Sequence, residues 1–161
     1  MLKFKFIHQG IELPPPLFYA TELSAGFDVA ALLEKTEVIQ PGQRAIIPTG
    51  LFIDSHEESS VCWTLSNGSS LFARVIPELQ LRPRSGLAAK HGITVLNAPA
   101  TIDVDYRGEI KIILVNHGQE AFIVNSGDRI AQGVVSTVVQ LPSVEVKSAK
   151  RGTGGFGSTG V

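Results

Sequence analysis

The sequence predicts an all-β chain, a jelly-roll-like β-sandwich. Three observations carry this: short runs rich in Val and Ile, a period-two alternation at the start, and Gly, Pro, Asn or Asp between the runs. Leu2, Phe4 and Phe6 alternate with Lys3 and Lys5, the pattern of a strand near a sheet edge with one face in water. Further strands are predicted at AIIPTGLFI (45 to 53), HGITVLN (91 to 97), EIKIILVN (109 to 116), AFIVN (121 to 125) and GVVSTVVQL (133 to 141). Only two stretches have helical character. TELSAGFDVAALLEK (21 to 35) contains Gly26 and follows Pro14, Pro15 and Pro16, so it reads as strand and turn; SGLAAKH (85 to 91) reads as one or two helical turns.

At 161 residues and 17.2 kDa the chain is expected to bury one core, and neither repeat nor linker divides it. Hydrophobic residues at 43% and charged residues at 18% describe a globular chain rather than a disordered one. No apolar run approaches the roughly 20 residues that cross a bilayer. The start, MLKFKFIHQG, lacks the apolar centre of a secretory signal, so a cytoplasmic location without a membrane partner is expected. A formal net charge of −1 gives no general attraction to nucleic acid, and none is expected as a partner. Any phosphate must be held by local groups. Cys62 is the only cysteine, which excludes an internal disulfide and a thiolate metal site and leaves a buried or idle thiol. His8, His56, His91 and His117 lack partners at metal-ligand spacing.

Five stretches are richer in chemistry than turns require. In AGFDV (25 to 29), Asp28 makes sense beside phosphates only with a cation between them, because two bare anions repel. RPRSGLAAKHG (82 to 92) sets Arg84, Ser85 and Gly86 where a turn opens into a short helix, and a guanidinium, a hydroxyl and free N–H groups suit phosphate oxygens. An ordinary capped turn is the alternative there. NAPATIDVDYRGEIKI (97 to 112) holds Asn97, whose amide both donates and accepts as a nucleobase edge requires. Asp103 and Asp105 fall on one side if this stretch is extended, and Tyr106 can pack on a sugar. GDRIAQ (127 to 132) pairs Asp128 with Arg129 in a surface turn and follows with Gln132.

The fifth stretch is the tail, RGTGGFGSTG (151 to 160). Its glycines let successive N–H groups wrap one anion, Arg151, Ser158 and Thr159 add donors, and Phe156 is free to stack on a base. From about Ser148 only Phe156 and Val161 are sizeable apolar groups. Residues 148–161 are therefore read as a C-terminal arm on a single β domain spanning 1–147, and an arm of that length can cross to a neighbouring subunit.

In this order the five stretches resemble the five signature motifs of the trimeric deoxyuridine triphosphatases, or dUTP diphosphatases. The resemblance implies a jelly-roll subunit in a threefold homotrimer, with active sites shared among chains and closed by the arm. It implies hydrolysis of dUTP to dUMP and pyrophosphate, lowering dUTP and supplying dUMP, with Mg²⁺ spanning the phosphates. By position Asp103 holds the attacking water and acts as its base. An aspartate of ordinary pKa, about 3.9, is a weak base, so positioning and charge neutralisation supply much of the rate. Arg84, Ser85 and Gly86 hold the α- and β-phosphates with help from Gln132, and Asp28 touches the metal through water. Asn97 and the backbone around Thr101, Ile102 and Lys111 pair with the uracil edge, while Tyr106 under the sugar leaves no room for a 2′-hydroxyl. Arg151, Gly157, Ser158 and Thr159 grip the γ-phosphate as Phe156 covers the base.

The chain departs from the family pattern in three places. Ala100 stands where glycine is common, at a strain cost if its φ is positive, and Gly133 replaces a large apolar residue, which is expected to loosen the packing. Residues 54–74 are longer than the usual connection and are expected to form an extra hairpin or flap around Trp63. Two competing readings are a trimeric nucleotide sensor without catalysis and a dCTP deaminase relative. The deaminase carries a glutamate where this chain has Ile113.

Overall fold

A computed structural model describes residues 2–6, 17–57, 59–64, 66–68, 70–140 and 153–154. In chain order the elements are β1 (Leu2–Phe6), β2 (Phe18–Tyr19), β3 (Phe27–Ala30), β4 (Glu37–Ile39), β5 (Arg44–His56), β6 (Ser59–Thr64) and β7 (Ser70–Arg82). There follow α1 (Ser85–His91), β8 (Ile93–Val95), β9 (Ala100–Asp103), β10 (Ile110–Asn116), β11 (Phe122–Val124) and β12 (Arg129–Gln140). All pairings are antiparallel. One sheet runs β1-β5-β10-β8, a second runs β2-β3-β12-β7-β6 with β9 also on β7, and β11 pairs with β4 in a short ribbon. The two sheets enclose one core, which makes the jelly-roll-like β-sandwich expected from the sequence.

The alternation that predicts the strands also fills this core. In β10, Ile110, Ile112 and Leu114 are fully buried while Lys111 points to water; in β3, Phe27 and Val29 face inward and Asp28 is carried to the other side. Each of these large side chains contributes about 1.5–3 kcal/mol when removed from water. Buried Asn116 ties the end of β4 to the turn after β10. Its amide nitrogen donates to the carbonyls of Ile39 and Glu120, both at 2.8 Å, and its Oδ1 accepts from the Gly118 N–H at 2.8 Å. Asn116→Leu strands two carbonyls and one N–H inside the fold. The expected loss is about 2–4 kcal/mol in urea unfolding with an unchanged m value.

Several sequence expectations change here. Residues 59–64 do pair with residues 70–75 as a hairpin, but the return strand β7 continues to Arg82 as an interior strand of the second sheet. This hairpin thus grows from a central strand of the sheet. Cys62 is free and exposed, not buried. β12 begins at Arg129 and not Gly133, so GDRIAQ lies largely within a strand. Gly133 leaves no gap, because the Phe27 ring occupies the space: a Cβ there would sit 2.5 Å from it. Ala100 is buried in paired β9 opposite Leu81, an extended conformation that costs its methyl nothing. Among the described residues no helix is long and apolar enough to cross a membrane.

Candidate active site

Three of the five motifs meet at one place. β3 carries Asp28 beside Gln132 of β12, and Gln132 lies across from Arg82 of β7, so the chain leaving β7 delivers Arg84 to the same end of the sheet. Arg84 Nε donates to Asp28 Oδ1 at 2.9 Å, and its Nη1 donates to the Arg129 carbonyl at 2.9 Å. From the other side Arg129 Nη1 donates to Asp28 Oδ2 at 3.0 Å. The Asp28 side chain is only 8% exposed and has one guanidinium on each oxygen. This cluster replaces the expected Asp128–Arg129 pair. Asp128 instead accepts the Asn125 N–H at 2.8 Å and closes its own turn.

Next to the clamp a cleft of about 280 Å³ is lined by Arg84, Ser85, Gly86, Leu87, Lys90, His91 and Gln132. Its floor is the start of α1. Arg84 occupies the N-cap position without a side-chain cap, so no capping oxygen takes up the first-turn N–H groups. Nothing lies within 4 Å of the position a Gly86 side chain would take, which leaves that backbone open to an oxygen. A guanidinium has five N–H donors, and the two bonds Arg84 makes leave others for a ligand. Such a lining is chemically suited to an anion. The four residues the sequence assigns to phosphate, Arg84, Ser85, Gly86 and Gln132, lie together here with Lys90 and His91, to which it gave no such role, while Arg129 is set on Asp28. The signal for Lys90 was present, since Gly86 and Lys90 are four residues apart on one helix face.

The third motif lies elsewhere. Asn97 is exposed in the turn after β8, followed by the cis peptide Ala98–Pro99. Exposed Thr101 and half-buried Ile102 lie in β9 opposite Gln80 and Leu79, and Asp103 lies opposite Glu78. The backbone turns after Asp103, with the Tyr106 N–H donating to the Asp103 carbonyl at 3.0 Å, so Asp103 and Asp105 do not share one face of an extended strand. Exposed Lys111 enters β10 opposite Pro48. Tyr106 is 9% exposed and belongs to the core, with its hydroxyl donating to the Glu109 carbonyl at 3.1 Å. Only the rest of its ring is left to meet a sugar.

Burial, and then the Glu109 carboxylate, raise the Tyr106 phenol above its ordinary value of 10.0. A raised pKa in the fold means stability that is fully present below pH 10 and lost as the pH climbs through the folded value. In a Tyr19→Phe protein, where Tyr106 is the one remaining tyrosine, the ultraviolet titration is expected to have its midpoint above 10. A midpoint at or below 10 contradicts this burial.

Arg151, Phe156, Gly157, Ser158 and Thr159 lie outside the described residues. Among the described residues, no group of three or more His, Cys, Asp or Glu side chains is arranged to hold a metal.

A family model described as dUTPase matches residues 15–160. The chain belongs to the dUTPase family. A curated relative from Bartonella henselae, deoxyuridine 5′-triphosphate nucleotidohydrolase, is 48% identical over 164 residues, covering 94% of this chain and 78% of its own. Among solved structures, a mutant dUTPase of Staphylococcus bacteriophage 80alpha with dUpNHpp superposes with a TM-score of 0.65 at 19% identity, covering 100% of this chain and 99% of its own. A mutant dUTPase from phage phi11 of S. aureus, described with a structural Mg(II) ion, gives 0.63 at 16% identity over 92% and 97% of the two chains. At such identities these two structures speak for the fold alone.

Proposed function

We propose that this protein hydrolyses dUTP to dUMP and pyrophosphate. The observation that carries it is the anion cleft: Arg84, Ser85, Gly86 and Gln132, from two separate motifs of a dUTPase chain, line one small cavity held in shape by Asp28. In this reading the cleft holds the phosphates, Asp103 orients the attacking water, and Asn97, Thr101, Ile102 and Lys111 frame the uracil. Attack on the α-phosphorus forms the new P–O bond as the pyrophosphate oxygen leaves, and the water's proton passes to the Asp103 carboxylate. Ile113 faces Ile46 across β10 and β5, where the deaminase reading requires a carboxylate.

Distance along the sheet supports a site shared between subunits. Asp103 faces Glu78, which faces Ser136, whereas Asp28 faces Gln132, four residues along β12. Three strand spacings and four residues of rise put Asp28 and Asp103 roughly 20 Å apart on a flat sheet. A phosphate held beside Arg84 is then out of reach of the same chain's Asp103. We therefore infer a homotrimer in which the phosphate cleft of one chain faces the third motif of the next. Residues 148–161 serve as the arm that adds Arg151, Phe156, Gly157, Ser158 and Thr159, and residues 1–147 form the domain. A cytoplasmic setting belongs to the same proposal, because the substrate is a free nucleotide.

The donor set fits Mg²⁺ carried by the substrate. Asp28 holds Arg84 of the cleft, and both of its carboxylate oxygens are already engaged by guanidiniums. Mg²⁺ bound by phosphate oxygens and water needs no more than such an outer partner. When bound, it neutralises charge on the departing pyrophosphate. Asp28 would meet it only through water.

Pyrophosphate release from dUTP, dCTP, dTTP and UTP, with and without Mg²⁺, tests this reading. The expected result is turnover of dUTP alone, strongly Mg²⁺-dependent. Equal turnover of all four removes the proposed pocket, and no turnover of any favours a sensor.

A further inference from the structure

Glu109 lies between Tyr106 and the start of β10, and the proposed reaction gives it no role. One of its oxygens, Oε1, accepts two consecutive backbone N–H groups, Thr49 at 3.1 Å and Gly50 at 2.9 Å. Those two residues form a bulge in β5. The register of β10 against β5 jumps from Ile110 opposite Leu51 to Lys111 opposite Pro48, and Gly50 takes φ +66°. Thr49 is buried, and its hydroxyl donates to the Ile110 carbonyl and accepts the Leu51 N–H. The bulge is thus a preformed nest whose anion is supplied by the chain itself.

The same residue reaches the pocket by two other routes. Its main-chain carbonyl accepts the Tyr106 hydroxyl, and its Oε2 lies 3.7 Å from Lys111 Nζ. Gly108 makes the Tyr106 link possible, because a side chain there would overlap the Tyr106 hydroxyl. Glu109 thus joins Tyr106 through its carbonyl, and Lys111 and the β5 bulge through its carboxylate. The Glu109 side chain is 23% exposed, so its link to Lys111 is partly screened and the two N–H bonds are the stronger hold.

We propose that Glu109 is a positioning residue for sugar discrimination. By pinning residues 106–109 to the β5 bulge, its carboxylate fixes the Tyr106 ring at the distance that admits a 2′-deoxyribose and refuses a ribose. This rests on the dUTP-hydrolysing reading above. Without the pin the Glu109 carbonyl shifts, Tyr106 follows it, and a 2′-hydroxyl finds room.

The test compares wild type, Glu109→Gln and Glu109→Ala in steady-state hydrolysis of dUTP and UTP, alongside thermal unfolding. Glu109→Gln keeps an acceptor oxygen for both N–H groups and is expected to hold kcat/KM for dUTP within about threefold of wild type, with selectivity intact. Glu109→Ala is expected to lose tenfold or more in kcat/KM for dUTP, mainly through KM, and tenfold in the preference for dUTP over UTP. Should the alanine protein fail to fold, Glu109→Asp, one methylene too short to reach both N–H groups, carries the same expectation. An unchanged dUTP:UTP preference in the variant that lacks the pin, whatever its stability, overturns the proposal; so does a glutamine variant as unselective as alanine. A wild type that cleaves no dUTP instead overturns the functional reading beneath it.

Discussion

Asp103→Asn is expected to lower kcat for dUTP by about 10³-fold or more while the Kd for a non-hydrolysable analogue changes less than about threefold. The substitution keeps the size and one acceptor oxygen and removes only the capacity to take a proton and to oppose positive charge. Asp103 ends β9 where the backbone turns away, with the Tyr106 N–H donating to its carbonyl, so the main chain helps to fix where the residue sits. Single-turnover hydrolysis and analogue binding by calorimetry separate the two effects. Lost binding reassigns Asp103 to ligand capture, and retained turnover removes it from the chemistry.

The second large effect is expected at the clamp. Arg84→Ala removes the guanidinium that reaches both Asp28 and the phosphate cleft, and about 10²–10³-fold in kcat/KM should go with it. Arg84→Lys keeps a charge but not the fork that grips Asp28 and Arg129 together, so it should recover only part of the loss. Asp28 remains held by Arg129 in both, which limits the stability cost to about 1–2 kcal/mol in urea unfolding. A lysine variant with wild-type kcat/KM contradicts the fork.

Much of this was legible in the sequence because local pattern and final burial agree. IKIILVN alternates and then runs apolar, as a strand covered by one sheet and crossed at its end must. β7 was harder to read, since IPELQLR places Pro77 and Glu78 inside what proves to be a thirteen-residue strand. Proline removes a ladder donor, so it argues against an interior strand. The structure meets the objection: β6 pairs up to Val75 and β9 from Glu78, and Pro77 falls in the break between them.

The clamp was illegible for a different reason. Arg84 and Arg129 lie 56 and 101 residues from Asp28, and nothing local marks a carboxylate for two distant guanidiniums. Sequence neighbours suggested Asp128 as the partner of Arg129; sheet register, which joins β3 to β12, brings Arg129 to Asp28 instead. The Glu109 nest was hidden likewise, because the bulge it fills lies sixty residues earlier in the chain.

The most direct test of a site divided between chains mixes two inactive proteins. Asp103→Asn and Arg84→Ala subunits are unfolded together at equal amounts, refolded, and assayed for pyrophosphate release from dUTP. If one chain supplies the phosphate cleft and its neighbour supplies Asp103, random trimers rebuild about a quarter of the wild-type sites, and activity returns to about that level. If exchange is complete and the mixture stays as inactive as its parents, both groups serve from the same chain and the account is wrong.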